Sequence, residues 1–158
     1  MKISLKKGLN FGLTSAVITT LGLITGLNSS TGSKMIIISG ILIIAIADSF
    51  SDALGIHIST ESEGNYTNKE VWQATVATFL SKFIFALTFL IPYLFLNLNL
   101  AFWIDIIWGG FILVFVSYRL AKQQNLKPQG IIFEHLFISV VVLFLGYYIG
   151  KMINQYIK

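Results

Sequence analysis

No cysteine occurs among the 158 residues of this chain, which excludes disulfides, thiolate metal sites and cysteine nucleophiles. Histidine is scarce, at two, and no glycine-rich phosphate loop is present, so little room is left for a cofactor enzyme. Charge is the third shortage. Soluble domains carry about 25% charged residues; this chain carries 11%, and 55% of it is hydrophobic. The longest polar stretch, Ser59 to Glu70, is too short to enclose a core of its own. Residues 1–158 are therefore read as a single transmembrane domain. The net charge of +4 falls mostly in loops and suits membrane orientation rather than nucleic-acid binding. The basic start, Met1 to Lys7, precedes an apolar segment with no Ala-x-Ala-type cleavage site, so it reads as part of a retained helix and not as a signal peptide.

What the chain has in quantity is long apolar runs. About 20 apolar residues cross a bilayer, and five segments reach that length: Leu9–Leu27, Met35–Ile58, Val71–Leu96, Ala101–Ala121 and Ile131–Ile153. Breaks are expected at Asn28–Gly32, Glu61–Asn68, Asn97–Asn99 and Lys122–Gly130. The very short link before the fourth span predicts a tight antiparallel hairpin, and Pro92 predicts a kink near the end of the third. The expected fold is all-α, an integral membrane bundle of five helices in contact with lipid. Lys2, Lys6, Lys7, Lys69, Arg119, Lys122 and Lys127 fall on one side, Lys34, Lys151 and Lys158 on the other. The richer side is expected to be cytoplasmic and to hold the amino terminus.

Inside the second run lie two carboxylates, Asp48 and Asp52, one helical turn apart. A charge in mid-membrane costs about 2.5–3.5 kcal/mol on insertion scales, while each neighbouring Ile, Leu or Phe returns only about 0.3–0.6 kcal/mol. Intramembrane carboxylates point by default to a polar or ionic pathway. Lys82 sits at similar depth on the third span, so an ion pair is the competing, structural explanation. Burial raises a carboxylate's pKa and a bound cation lowers it again. A buried carboxylate thus can release a proton as a metal arrives, and Lys82 would serve as stand-in cation when the metal is absent. Asp105 and Glu134 are expected at interfaces.

Small residues mark one face of the first span: Gly8, Gly12, Ser15, Thr19, Gly22 and Gly26 recur at three- and four-residue steps. Such a stripe permits close helix packing or lines a pathway with hydroxyls and backbone carbonyls. On the second span Ala45, Asp48, Asp52, Gly55, Ser59 and Glu63 form a comparable stripe. His57 points about 140° away from Asp52, which argues against an Asp–Asp–His centre and favours an interfacial role. Glu61 and Glu63 are either ordinary solvated charges or a mouth that attracts cations. Gly146 and Gly150 form a Gly-x-x-x-Gly packing signal on the fifth span.

Several stretches together resemble the vacuolar iron transporter and nodulin-like family. Asn10-Phe11-Gly12-Leu13-Thr14-Ser15 and Leu21-Gly22-Leu23-Ile24-Thr25-Gly26-Leu27 are similar to that family's first helix. Ser51-Asp52-Ala53-Leu54-Gly55-Ile56-His57-Ile58-Ser59 resembles its second, and Leu90-Ile91-Pro92-Tyr93 and Tyr148-Ile149-Gly150-Lys151 its later patterns. The resemblance runs through nearly the whole chain in order. It implies a homodimer that exports ferrous iron or manganese from the cytoplasm in exchange for protons, with the first helices lining the path. The departures fall on functional positions. Phe11 stands where the family has Asp, Asp52 where it has Met and Ile56 where it has Glu, and the Glu-rich insert is reduced to Glu61–Asn68.

The expectation is therefore a homodimeric carrier of a divalent cation such as Fe²⁺ or Mn²⁺ in the plasma membrane of a prokaryotic cell, with no cofactor. Asp48, Asp52, Glu61, Glu63, Asn10 and Ser59 are its candidate metal-site residues. Gly12, Ser15, Thr19, Gly22, Gly55 and Lys82 are its candidate lining. A hard oxygen site of this kind favours Mn²⁺, Fe²⁺ or Mg²⁺ over softer metals. The alternative is a non-transporting membrane scaffold with a structural Asp–Lys pair. An intramembrane enzyme using Asp48, Asp52, His57 and Glu61 is a third reading, weakened by the facing of His57.

Overall fold

In a computed structural model, residues 3–157 are described; Met1, Lys2 and Lys158, which entered the reading of the amino-terminal start and the charge count, lie outside them. The helices are α1 (Ile3–Thr31), α2 (Lys34–Ser62), α3 (Asn68–Thr88), α4 (Leu90–Phe95), α5 (Leu98–Gln123) and α6 (Pro128–Tyr156). Among the described residues, α1, α2, the α3–α4 unit, α5 and α6 are long and apolar enough to cross a membrane.

The helices run longer than the apolar stretches alone imply, for local reasons. Asn28–Gly32 was expected as a break, yet α1 continues to Thr31. The Ser29 hydroxyl donates to the Thr25 carbonyl at 2.9 Å and Thr31 to Leu27 at 2.8 Å, so these side chains are satisfied within the helix. Only Gly32 and Ser33 turn the chain. Gly32 has φ +58°, a left-handed conformation that glycine adopts without a Cβ penalty, and Ser33 caps α2. Asn97 accepts from the Leu100 amide at 3.0 Å, which starts α5 at Leu98 rather than Ala101. Pro128 opens α6, where its missing N–H would have had no partner in any case.

The expected kink at Pro92 takes the form of a one-residue interruption at Phe89, whose backbone stays in the helical region. Proline cannot donate to the carbonyl of residue 88, and helix α3 ends at Thr88 while α4 starts at Leu90. Buried Phe89 fills the gap, and the Trp108 indole donates to the Thr88 hydroxyl at 3.0 Å, tying the break to α5. At that same end the Lys34 ammonium donates to the Leu96 carbonyl at 2.9 Å.

Helix α1 is the axis of the bundle. It packs on α3 and α2 on one side and on α6 and α5 on the other. A β-carbon at Gly8 or Gly12 would overlap the backbone of α3. Further along, Gly22 abuts Val142, Gly26 abuts Gly146, and Gly150 lies against Gly26 and Ser29. The small residues of α1 thus serve two partners in succession, and the Gly146/Gly150 pair is spent on α1 of the same chain. In lipid, where apolar burial gives little preference between helices, such close approach is the main source of cohesion. The apolar core, including Val17, Leu21, Ile24, Ile37, Ile41, Phe89 and Tyr93, fills the half of the bundle nearer the α1–α2 turn. Ile43, Phe50, Trp103, Phe111, Phe133 and Phe144 point outward, as lipid contact requires.

Candidate functional site

Asp48 and Asp52 lie on the border of the buried face of α2, which runs through Ile41, Ala45, Ser49 and Ala53. Their spacing of four residues stacks them on adjacent turns. Opposite them α3 contributes Lys82, from the face that also holds Thr78 and Ser81, and α1 contributes Ser15. Gly12 lets α1 and α3 approach closely one turn away, beside Ser81 and Lys82. The centre is therefore assembled by three helices, one turn from that close approach.

The Lys82 ammonium pairs with Asp48 Oδ2 at 2.5 Å, pairs with Asp52 Oδ2, and donates to Ser15 Oγ at 2.8 Å. An ammonium has three donors, and three oxygens lie around it. Ser15 in turn donates its proton to Asp52 Oδ2 at 2.5 Å. Two carboxylates against one ammonium leave one net negative charge. Exposure is unequal: the Lys82 side chain is 1% exposed, Asp52 19% and Asp48 27%. The cation is thus sealed behind the carboxylates, of which Asp48 opens toward a groove between α1 and α2 that Thr19 and Ser51 also line.

The remaining residues expected at the site are elsewhere. Asn10 lines a separate hollow with Lys6, Leu120 and Gln124 at the end of α5. It precedes Ser15 by five residues, which turns it about 140° round the helix. Ser59 is exposed on α2, about 10 Å along the axis from Asp52. Glu61 is exposed at the end of α2, and Glu63 pairs with Lys7, whose ammonium also lies 5.8 Å from the Tyr66 ring centre. Among the described residues no three His, Asp or Glu side chains converge as a metal-holding group. Gly12 and Gly22 are packed against α3 and α6, Gly55 is exposed, and Thr19 lines the groove while its hydroxyl donates to the Ser15 carbonyl at 2.9 Å. Of the expected residues, Asp48, Asp52, Lys82, Ser15 and Thr19 come together.

His57 turns away from the aspartates, as its position on the helix predicts. Its Nδ1 is 2.9 Å from the Thr75 hydroxyl and its ring meets Trp72 edge-on, at 4.9 Å between centres. Asp105, expected near an interface at the end of its span, lies inside the bundle. It is 0% exposed, and neither carboxylate oxygen has a hydrogen-bond partner among the described residues. Tyr93, also fully buried, is within its electrostatic reach, and the Tyr93 hydroxyl is likewise unpartnered. Ser51, which opens the second-helix stretch that resembles the family, was not among the candidate site residues; it lines the groove with Asp48. Compared with known proteins, the chain matches no family model and no curated protein.

Proposed function

We propose that the chain is a membrane carrier that exchanges a cation against protons at the Asp48–Lys82–Asp52 centre. The observation that carries this reading is the unequal exposure of the three charges. Asp48 lines the groove and the ammonium stands behind the carboxylates, so the groove presents negative charge first. It opens toward the α1–α2 turn, which with the amino terminus in the cytoplasm is the outer side, where protons arrive and the cation leaves. Lys82 holds the empty centre together in a medium that penalises lone charges. A cation that displaces it takes over the carboxylate oxygens, and protons arriving at those oxygens from the outer side release the cation. The cargo proposed first is Mn²⁺ or Fe²⁺, which suit oxygen ligands. The two aspartates and the Ser15 and Ser51 hydroxyls would supply part of the shell, and a second copy or retained water the rest. The proposal extends to a homodimer with its amino terminus in the cytoplasm, exporting across the plasma membrane, as the resemblance to the vacuolar iron transporters implies.

The test is flux of Mn²⁺ and Fe²⁺ in liposomes holding the purified chain, with and without a pH gradient, beside Asp52→Asn. Gradient-driven flux that disappears in the variant is expected. Flux unchanged by Asp52→Asn at every pH overturns the assignment. A second reading, a scaffold with a structural ion pair, is favoured by the burial of the ammonium against two carboxylates and the Ser15 hydroxyl. It expects no flux from correctly folded protein.

A further inference from the structure

The groove that reaches the carboxylates has a volume of about 770 Å³. Its lining runs from Met35, in the first turn of α2, past Leu23 and Ile43 to exposed Ala47 and half-buried Asp48 at the inner end. From Met35 to Asp48 the helix advances about 20 Å. Nearly all of that length is hydrocarbon, interrupted by Ser39. A hydrated metal ion gains nothing from these walls and is compensated only at the carboxylates. An alkyl chain loses nothing there, because lipid tails and leucine side chains are equally apolar. The inner end has the opposite character: two carboxylates to one ammonium, with Asp48 the more open carboxylate and Lys82, the one cation paired with them among the described residues, sealed behind.

We propose that the groove binds an amphipathic cation, an ammonium head on an unbranched apolar chain. The head sits on Asp48 and the chain runs past Ile43 and Leu23 toward Met35. This inference names a substrate class for the centre and rests on reading the aspartates as an exchangeable cation site. Selectivity comes from the head alone. The chain meets the same hydrocarbon in the groove as in the bilayer, so only the carboxylates distinguish bound from free.

The experiment is equilibrium binding of radiolabelled decylamine and 1-decanol to the full chain in lipid nanodiscs, with empty nanodiscs as background. Saturable decylamine binding at least tenfold tighter than decanol is expected. Ala47→Phe should weaken it at least tenfold by closing the groove above Asp48 while keeping every residue of the ion pair. Ile43→Trp, at a second outward-facing position, repeats the test nearer Met35. Equal binding of amine and alcohol would make the groove a lipid slot and overturn the proposal. The chain has no cysteine of its own, so a disulfide between two copies of Ala47→Cys would show that a second copy covers the groove, and would also overturn it. If decylamine fails to bind while pH-driven Mn²⁺ flux persists, only the amphipathic substrate is lost. If both fail, the cation-carrier reading falls as well.

Discussion

Asp52 and Asp105 are both carried into the membrane-spanning part of the bundle, but they arrive in different company. Asp52 meets an ammonium and a hydroxyl from two other helices. Asp105 lies within electrostatic reach of Tyr93, on the face of α5 where Gly109 abuts Val17 and Leu21, and has no hydrogen-bond partner among the described residues. The contrast separates two ways of joining helices. Around Asp52, α1, α2 and α3 are tied by directional polar contacts, each of which needs the others. Around Asp105, α1 and α5 are held by shape, and nothing in the surroundings requires a charge.

The comparison breaks most visibly at Lys82. Lys82→Ala leaves two adjacent carboxylates without a cation, and loss of one partner from a buried pair destabilises by about 3–5 kcal/mol. Unfolding of the variant in mixed micelles should show a loss of that size, largely recovered when Asp48→Asn and Asp52→Asn are added. Gly12→Val comes next. Its side chain would meet the α3 backbone beside Ser81 and Lys82, forcing the helices apart. Overpacking of this kind costs about 1–3 kcal/mol, and the same unfolding assay should place it below Lys82→Ala.

Asp105→Asn sharpens the other side. The amide has the same size and no contact is lost, so a change under about 1 kcal/mol is expected. A loss comparable to Lys82→Ala would show that Asp105 does hold a charged partner. Glu63→Gln provides the smallest effect. Its pair with Lys7 is exposed, with side chains 44% and 28% accessible, and exposed pairs contribute about 0.2–1 kcal/mol. Raising the salt concentration should shrink the difference from wild type further.

The long runs made the five spans legible, because crossing a bilayer leaves few alternatives to a helix. Lys82 was legible as the partner of the aspartates for a similar reason, since a lone cation at that depth has nowhere else to go. Helix ends were harder. The hydroxyls of Ser29 and Thr31 fold back on the helix, and the Asn97 side chain starts α5 three residues ahead of its apolar run. That shift matters for Asp105, which moves about one turn deeper than an apolar start at Ala101 implies. Its burial against other helices is a separate matter, which spacing along one span does not display. Asn10 entered the site by resemblance alone, and its angle about α1 takes it to α5. The stripe of glycines was visible in sequence, but not that α3 takes its first half and α6 its second.

Helices α1, α2 and α6 each have 29 residues, a length of about 44 Å. The hydrocarbon of a bilayer is about 30 Å thick, and headgroups bring it to about 40–45 Å. These rods therefore span the whole leaflet pair, interface included, and a thinner membrane must be met by tilting or by local deformation. Because α1 is gripped through glycine contacts by α3 and by α6, it has little freedom to lean alone. Bilayer thickness thus acts on the bundle as a whole and reaches the aspartate centre through the α1–α3 contact at Gly12.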